Sequence, residues 1–388
     1  MKSVFVALGV YAGVGGMERF NQRVLRCLSG LADKPGTEHR AVVLWDRPEQ
    51  RELAPQRVRY SAAGSSKCKA ALLFAWHVWR MQPDVILYGH VLLAPLAALA
   101  RLLSPRSRQV LFVHGREVWR EPFRRRVPFR ERLAVRHLMD RVISVSRFTM
   151  ERMKAAYGLP PELFRLLPNA IDLSAEQASH PELPCCRSGR FRLLTVARLG
   201  WQDRSKGCDK VILAMRRIVA EFPGATHEIV GDGPLRTELE SLAASSGLAE
   251  RVNFLGYVSD HRLEEVYRDA DVLVIPSFGE GFGIVFLEAW KHGLPVVVGN
   301  RDASSEVVTD GWNGLCVDPH SVEEIAGAVC SLLSDPGRAR AMGENGRRTV
   351  QEQFTHEHFR RRLTEILVGT GEREKASREP AGQPAARL

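Results

Sequence analysis

The chain has 388 residues, 45% hydrophobic and 26% charged, a globular composition longer than one core usually grows, so two domains of about 150–200 residues are expected. Seven scattered cysteines without a C-x-x-C pair argue against a disulfide framework or a zinc ribbon and suit a reducing compartment. The amino terminus lacks the pattern of a signal peptide, and the longest apolar run, residues 91–103, is broken by Pro95 and Arg101 short of the roughly 20 residues a bilayer span needs; a cytoplasmic chain without a transmembrane helix is expected.

Residues 4–10 are apolar and lead through Tyr11-Ala-Gly-Val-Gly-Gly16 into an amphipathic stretch over 17–31, which reads as strand, glycine loop and helix. Gly13, Gly15 and Gly16 precede that helix, but the G-x-G-x-x-G spacing of a dinucleotide fold is not met, which argues against NAD. Further apolar runs at 41–45, 84–88, 109–114 and 141–145 are separated by helix-length segments, the alternation of a parallel sheet covered by helices. His114 closes one of these runs, where it would face a cleft and hydrogen-bond a sugar hydroxyl; a loop histidine satisfied by its neighbours is the alternative.

Residues 1–172 carry 29 Lys and Arg against 14 Asp and Glu, whereas the remainder is net acidic. Arg116, Arg120, Arg124, Arg125, Arg126, Arg130, Arg132 and Arg136 interleave with Val118, Trp119, Phe123, Val127 and Phe129. That mixture suits an anionic membrane surface or a solvated basic face. No RNP, zinc-finger or helix-turn-helix pattern accompanies the charge, so nucleic acid is not an expected partner.

Over residues 173–190 the periodicity gives way to a polar stretch rich in Ser, Pro and Gly, as in a linker between domains. It separates a first domain, 1–172, from a second, 191–349. Strands are expected there at 191–197, 225–230, 252–255, 270–276 and 295–299, and helices at 209–222, 235–246, 259–267 and 284–292. The fold class is therefore α/β, two Rossmann-like domains facing a central cleft. Residues 350–368 read as a terminal helix packing back on the first domain, and 369–388 as a disordered tail.

The most informative segment is Asp271-Val-Leu-Val-Ile-Pro-Ser277, then Phe278-Gly-Glu-Gly-Phe-Gly283, then a helix from Ile284. A buried strand feeds a glycine loop that opens a helix, where unpaired amides meet an anion. Glu288 sits in the middle of that apolar helix and needs strong hydrogen-bond donors to be buried there. A ribose diol offers two; a local arginine or water is the alternative. Glu280, at the loop apex, would reach the transferred sugar or stand as an exposed loop carboxylate. Arg198 and Lys206, after the first strand of this domain, could neutralise a diphosphate without a metal. The Gly231-Asp-Gly-Pro234 turn reads as mainly structural.

Together these residues resemble the retaining glycosyltransferase family 4 (group 1) of GT-B architecture, over nearly the whole chain to about residue 367. The specific element is Glu280 and Glu288 within Glu-Gly-Phe-Gly-Ile-Val-Phe-Leu-Glu. Supporting matches are Gly15-Gly16-x-Glu18, Val142-Ile-Ser-Val-Ser146, Leu167-Pro-Asn-Ala-Ile-Asp172, Val196-Ala-Arg-Leu199, Lys206-Gly207, Gly231-Asp-Gly-Pro234, Phe254-Leu-Gly256 and Asn313-Gly314. The resemblance implies transfer of a hexose from a UDP- or GDP-sugar with retention and no obligatory metal, the first domain being the acceptor side and the second binding the donor. It implies that Arg198 and Lys206 hold the diphosphate and Glu288 the ribose. Glu280, Gly281, Phe282, Gly283 and Ile284 would face the donor sugar, Gly16 with Gly15 the phosphates, and His114 the sugar. Two departures are the long interval between Arg198 and Lys206, with Arg204 inside it, and Ala170 where glycine is common.

The expected function is a glycosyltransferase extending a lipid-linked glycan of the envelope or an exopolysaccharide, peripheral at the inner face of the cell membrane. A soluble enzyme with a small-metabolite acceptor and a non-catalytic sugar-nucleotide-binding protein are the alternatives.

Overall fold

In the first half of the chain seven parallel strands, β1 (Lys2–Ala7), β2 (Glu38–Val43), β3 (Val58–Ala62), β4 (Val85–Tyr88), β5 (Arg108–Val113), β6 (Arg141–Ser144) and β7 (Phe164–Leu166), form one sheet in the order β3-β2-β1-β4-β5-β6-β7. In the second, β8 (Phe191–Val196), β9 (Ala225–Val230), β10 (Val252–Gly256), β11 (Val272–Ile275), β12 (Val296–Gly299) and β13 (Leu315–Val317) form another, ordered β10-β9-β8-β11-β12-β13 and again parallel. This computed structural model describes residues 1–13, 15–32, 35–115, 127–173 and 189–368. Most of the segment 116–136, most of the linker and the tail 369–388 lie outside them.

Strands β1, β4, β5, β11 and β12 are buried on both faces, as βαβ crossovers require, and therefore read as continuous apolar runs rather than alternation. β3, β7 and β13 are additional to the strands expected from sequence. β7 and β13 have three residues each, too few for a period, and β3 alternates Val58 and Tyr60 inward with Arg59 outward. Their neighbours' registers place them.

Helices α2 (Lys67–Met81), α3 (Leu96–Leu103), α4 (Phe129–Leu138) and α5 (Arg147–Tyr157) cover one face of the first sheet through Phe74, Val78, Ala97, Val135 and Met153. Helix α1 (Gly16–Leu31) and the terminal helix His356–Val368 cover the other, where Phe20 meets Phe359 edge-on at 5.2 Å. The terminal helix starts later than the expected residue 350, because residues 350–353 complete the helix Pro336–Gln353. Thr355 then restarts the chain, its hydroxyl accepting from the His358 amide at 3.4 Å.

The α1 face and the helices Asp260–Asp269 and Ile284–Lys291 of the second domain share a single buried cluster that includes Phe20, Val24, Tyr267, Phe286 and Trp290. The chain passes between domains twice. The passages lie side by side, the Ile171 amide donating to the Phe354 carbonyl at 2.9 Å and Ile171 bridging Thr355.

Candidate functional site

In the second sheet the chain winds outward in both directions from the central β8. The crevice beyond the carboxyl ends of β8 and β11 is thus the topological switch point, the place where doubly wound sheets bind ligands. The end of β8 runs to Arg198 and the short helical turn Trp201–Lys206; the end of β11 runs through Pro276 and Ser277 to Glu280. The two loops are tied together, the Phe278 amide donating to the Ser205 carbonyl at 2.9 Å. From the first domain the loop after β1 faces this crevice. Arg198 Nη1 lies 3.7 Å from where a β-carbon on Gly15 would stand, and Ile284 Cγ2 3.8 Å from the same point on Gly16.

Glu280 is buried, not exposed, and its carboxylate pairs with the Lys206 ammonium. Its amide donates to Asp302 Oδ2 at 2.6 Å while the Ser304 amide donates to Oδ1 at 2.9 Å. Burial, and then the nearby Glu280 charge, push the Asp302 carboxyl up to about 6. Arg204 turns away to the surface and pairs with Glu238, its Nη1 2.7 Å from Oε1. Lys206 is therefore the cation of the two that faces the glycine loop.

The helix Ile284–Lys291 begins on Gly283, whose φ of +87° favours glycine and where a β-carbon would overlap the Phe286 ring. Phe282 is buried against Phe354 at 5.5 Å between ring centroids. Gly281 abuts the other domain: a β-carbon there would overlap the His114 carbonyl oxygen. The His114 ring packs edge-on to Phe20 at 4.9 Å, and its Nε2 lies 3.0 Å from the Gly89 carbonyl.

Glu288 occupies the middle of that helix with 12% of its side chain exposed. Tyr267 donates its hydroxyl to Oε2 at 3.0 Å, and burial together with the Glu288 charge holds that phenol protonated, its pKa well above the ordinary value. Oε1 is taken by Arg19 of α1, whose guanidinium the Glu288 charge holds even more firmly protonated. The arginine that neutralises Glu288 thus comes from the opposite domain. Two further contacts cross the cleft. Thr149 Oγ1 donates to the Gly281 carbonyl at 3.3 Å, and the Glu306 carboxylate accepts the first amides of α5, from Arg147 at 2.7 Å and from Phe148.

Arg19, Tyr267, Asp302, Thr149 and Glu306 escape the sequence reading. Only Arg19 has a visible signal, its position directly after Gly15-Gly16-x-Glu18. Among the described residues no cluster of three or more His, Cys, Asp or Glu has the arrangement to hold a metal, and no helix is long and apolar enough to cross a membrane.

The family model described as Glycosyltransferase Family 4 matches residues 14–175, and that described as Glycosyl transferases group 1 matches residues 187–349. A GDP-mannose-dependent alpha-(1-6)-phosphatidylinositol monomannoside mannosyltransferase of Mycobacterium tuberculosis is 36% identical over 293 residues, 71% of this chain and 74% of that protein. The chain belongs to the group 1 glycosyltransferases of family 4. Another relative of this glycosyltransferase is the GDP-mannose-dependent monoacylated alpha-(1-6)-phosphatidylinositol monomannoside mannosyltransferase of Corynebacterium glutamicum, 30% identical over 296 residues, 71% of this chain and 74% of that one. In fold, the enzyme is similar to Alr3699/HepE of Anabaena in complex with UDP and glucose, with a TM-score of 0.77 at 20% identity, covering 95% of this chain and 100% of the other. The architecture is GT-B, and this glycosyltransferase presents Arg198, Lys206, Glu280 and Glu288 to the cleft between its two domains.

Proposed function

We propose that this glycosyltransferase moves mannose from GDP-mannose, with retention at the anomeric carbon, to a lipid-linked acceptor of the cell envelope or of an exopolysaccharide. The observation that carries the reading is the 36% identity, over 71% of the chain, to an enzyme named for GDP-mannose and a phosphatidylinositol acceptor. In this reading Arg198 and Lys206 neutralise the diphosphate. Glu288 accepts from the ribose hydroxyls, and Gly15 and Gly16 let the phosphates approach the first domain. Glu280, the amides of Gly281, Phe282, Gly283 and Ile284, and the His114 ring meet the sugar. The acceptor oxygen bonds to the anomeric carbon on the face from which the diphosphate leaves. The bond to the leaving oxygen breaks, and a phosphate oxygen takes the acceptor proton, so no protein base is required.

Support for a membrane-held acceptor comes from α2, α3 and α4, which together carry seven Lys and Arg and one acid. That acid, Glu131, is buried beneath the Tyr157 hydroxyl. Leu72, Trp76 and Trp79 stand exposed along one side of α2, the two indoles 5.7 Å apart. Apolar rings bordered by cations fit the boundary between anionic headgroups and acyl chains. Of the basic segment from Arg116 to Arg136, residues 127–136 are described and contribute exposed Phe129, Arg130, Arg132 and Arg136 to the same layer.

A thermal-shift panel of GDP-mannose, UDP-glucose and ADP-glucose tests the donor. GDP-mannose should stabilise most, by about 2.7 kcal/mol at a hundred times its dissociation constant. Glu288→Ala should weaken nucleotide binding by about 1–3 kcal/mol. A larger shift with UDP-glucose would refute the choice of base, and an unchanged affinity in the variant would refute the ribose contact.

A further inference from the structure

Glu288 is held from across the cleft. Its side chain is 12% exposed and that of its arginine partner 29% exposed, an environment in which an unpaired carboxylate would be costly. Arg19 leaves α1 one turn before Arg23, which is itself buried with Nε and Nη1 unpartnered. The second guanidinium nitrogen of Arg19 lies 3.3 Å from Asp260, whose side chain is 84% exposed and contributes little. The polar hold of α1 on the second domain at this point is therefore mainly the Glu288 pair, beside the buried cluster that Phe20 and Val24 share with Tyr267, Phe286 and Trp290. A few residues away, Gly281 and the His114 carbonyl touch so closely that not even a methyl group fits between them. A hexose bound between the Gly281 loop and His114 requires those two surfaces to part. Arg19 to Glu288 crosses the same seam, beside the Thr149 bond to the Gly281 carbonyl and the Glu306 bonds to the start of α5.

We propose that Arg19 is a placeholder for the donor ribose, holding Glu288 from the opposite domain so that a nucleotide seats by taking that carboxylate from it. The inference rests on Glu288 being the ribose ligand. Two ribose hydroxyls can replace the guanidinium as donors to Oε1, while the Tyr267 hydroxyl stays on Oε2. Arg19 is then a positioning residue that sets nucleotide affinity without being a nucleotide ligand.

The sign of one measurement separates this role from an ordinary contact. If Arg19 competes with the ribose, Arg19→Ala binds GDP more tightly, roughly tenfold if the lost competition is worth about 1.4 kcal/mol. Arg19→Lys, which keeps a cation, should return affinity toward wild type, and small-angle scattering of Arg19→Ala without nucleotide should give a larger radius of gyration than wild type. Arg19→Gln, which keeps most of the stem, carries the same expectation should the alanine variant fail to fold. Unchanged or weaker GDP binding in a folded, uncharged variant overturns the placeholder. If wild type binds neither GDP nor UDP by titration calorimetry, the donor reading falls and this inference with it; if wild type binds and only the sign is wrong, the donor reading stands.

Discussion

Asp302 is the clearest case of a single residue whose charge state matters to the loop. Its oxygens hold the amides of Glu280 and Ser304, yet burial lifts its carboxyl from 3.8 to about 6. A carboxyl raised in the folded state stabilises the fold fully below its unfolded value, and that contribution is lost as pH rises through the folded one. Wild type should therefore lose stability relative to Asp302→Asn between pH 4 and pH 6, by about 2 kcal/mol. Urea unfolding of both proteins at the two pH values measures the difference, and a constant gap would show that Asp302 is ionised throughout. Nothing in the sequence around Asp302 marks this role. It becomes significant only because the strand preceding it runs beside β11 and delivers it under the Glu280 loop.

The helix Ile284–Lys291 illustrates what an element can disclose before its partners are known. An apolar run with one carboxylate inside it signals a buried acid needing donors, and this much was readable in sequence. The donors themselves were not: Tyr267 comes from the preceding helix and Arg19 lies 269 positions away, and local patterning says nothing of such distances. The start of the helix is set by Gly283 at φ +87°. Gly283→Ala should destabilise the protein by about 1–3 kcal/mol through the strained backbone alone, and more through overlap with Phe286. A melting temperature equal to wild type would mean the loop relaxes without cost. The strands tell a parallel story, since long doubly buried runs announce themselves, whereas β7 and β13 exist because a neighbour offers an unpaired edge.

At the scale of the molecule, two α/β units were legible from two rounds of strand and helix separated by a polar stretch. Their closure against each other was not, because it depends on pairings such as Glu306 with the start of α5 that join positions with no sequence relation. The basic, aromatic layer of α2, α3 and α4 makes its own prediction: the protein should sediment with phosphatidylglycerol vesicles, less so as salt rises, and scarcely with phosphatidylcholine. Replacing Trp76 and Trp79 together with serine should weaken that association while leaving GDP binding intact. Indifference of wild type to anionic vesicles would remove the membrane from the proposal.

The paired passages at Ile171 and Thr355 carry a mechanical consequence. Because both connections run side by side, joined at Ile171, this point is the natural pivot for a swing of one domain against the other. Contacts beside the pivot, such as Arg26 with Asp172 at 2.7 Å, travel little in such a swing. Those farther out along the seam have the leverage, and a weak force applied there does the most to move the whole.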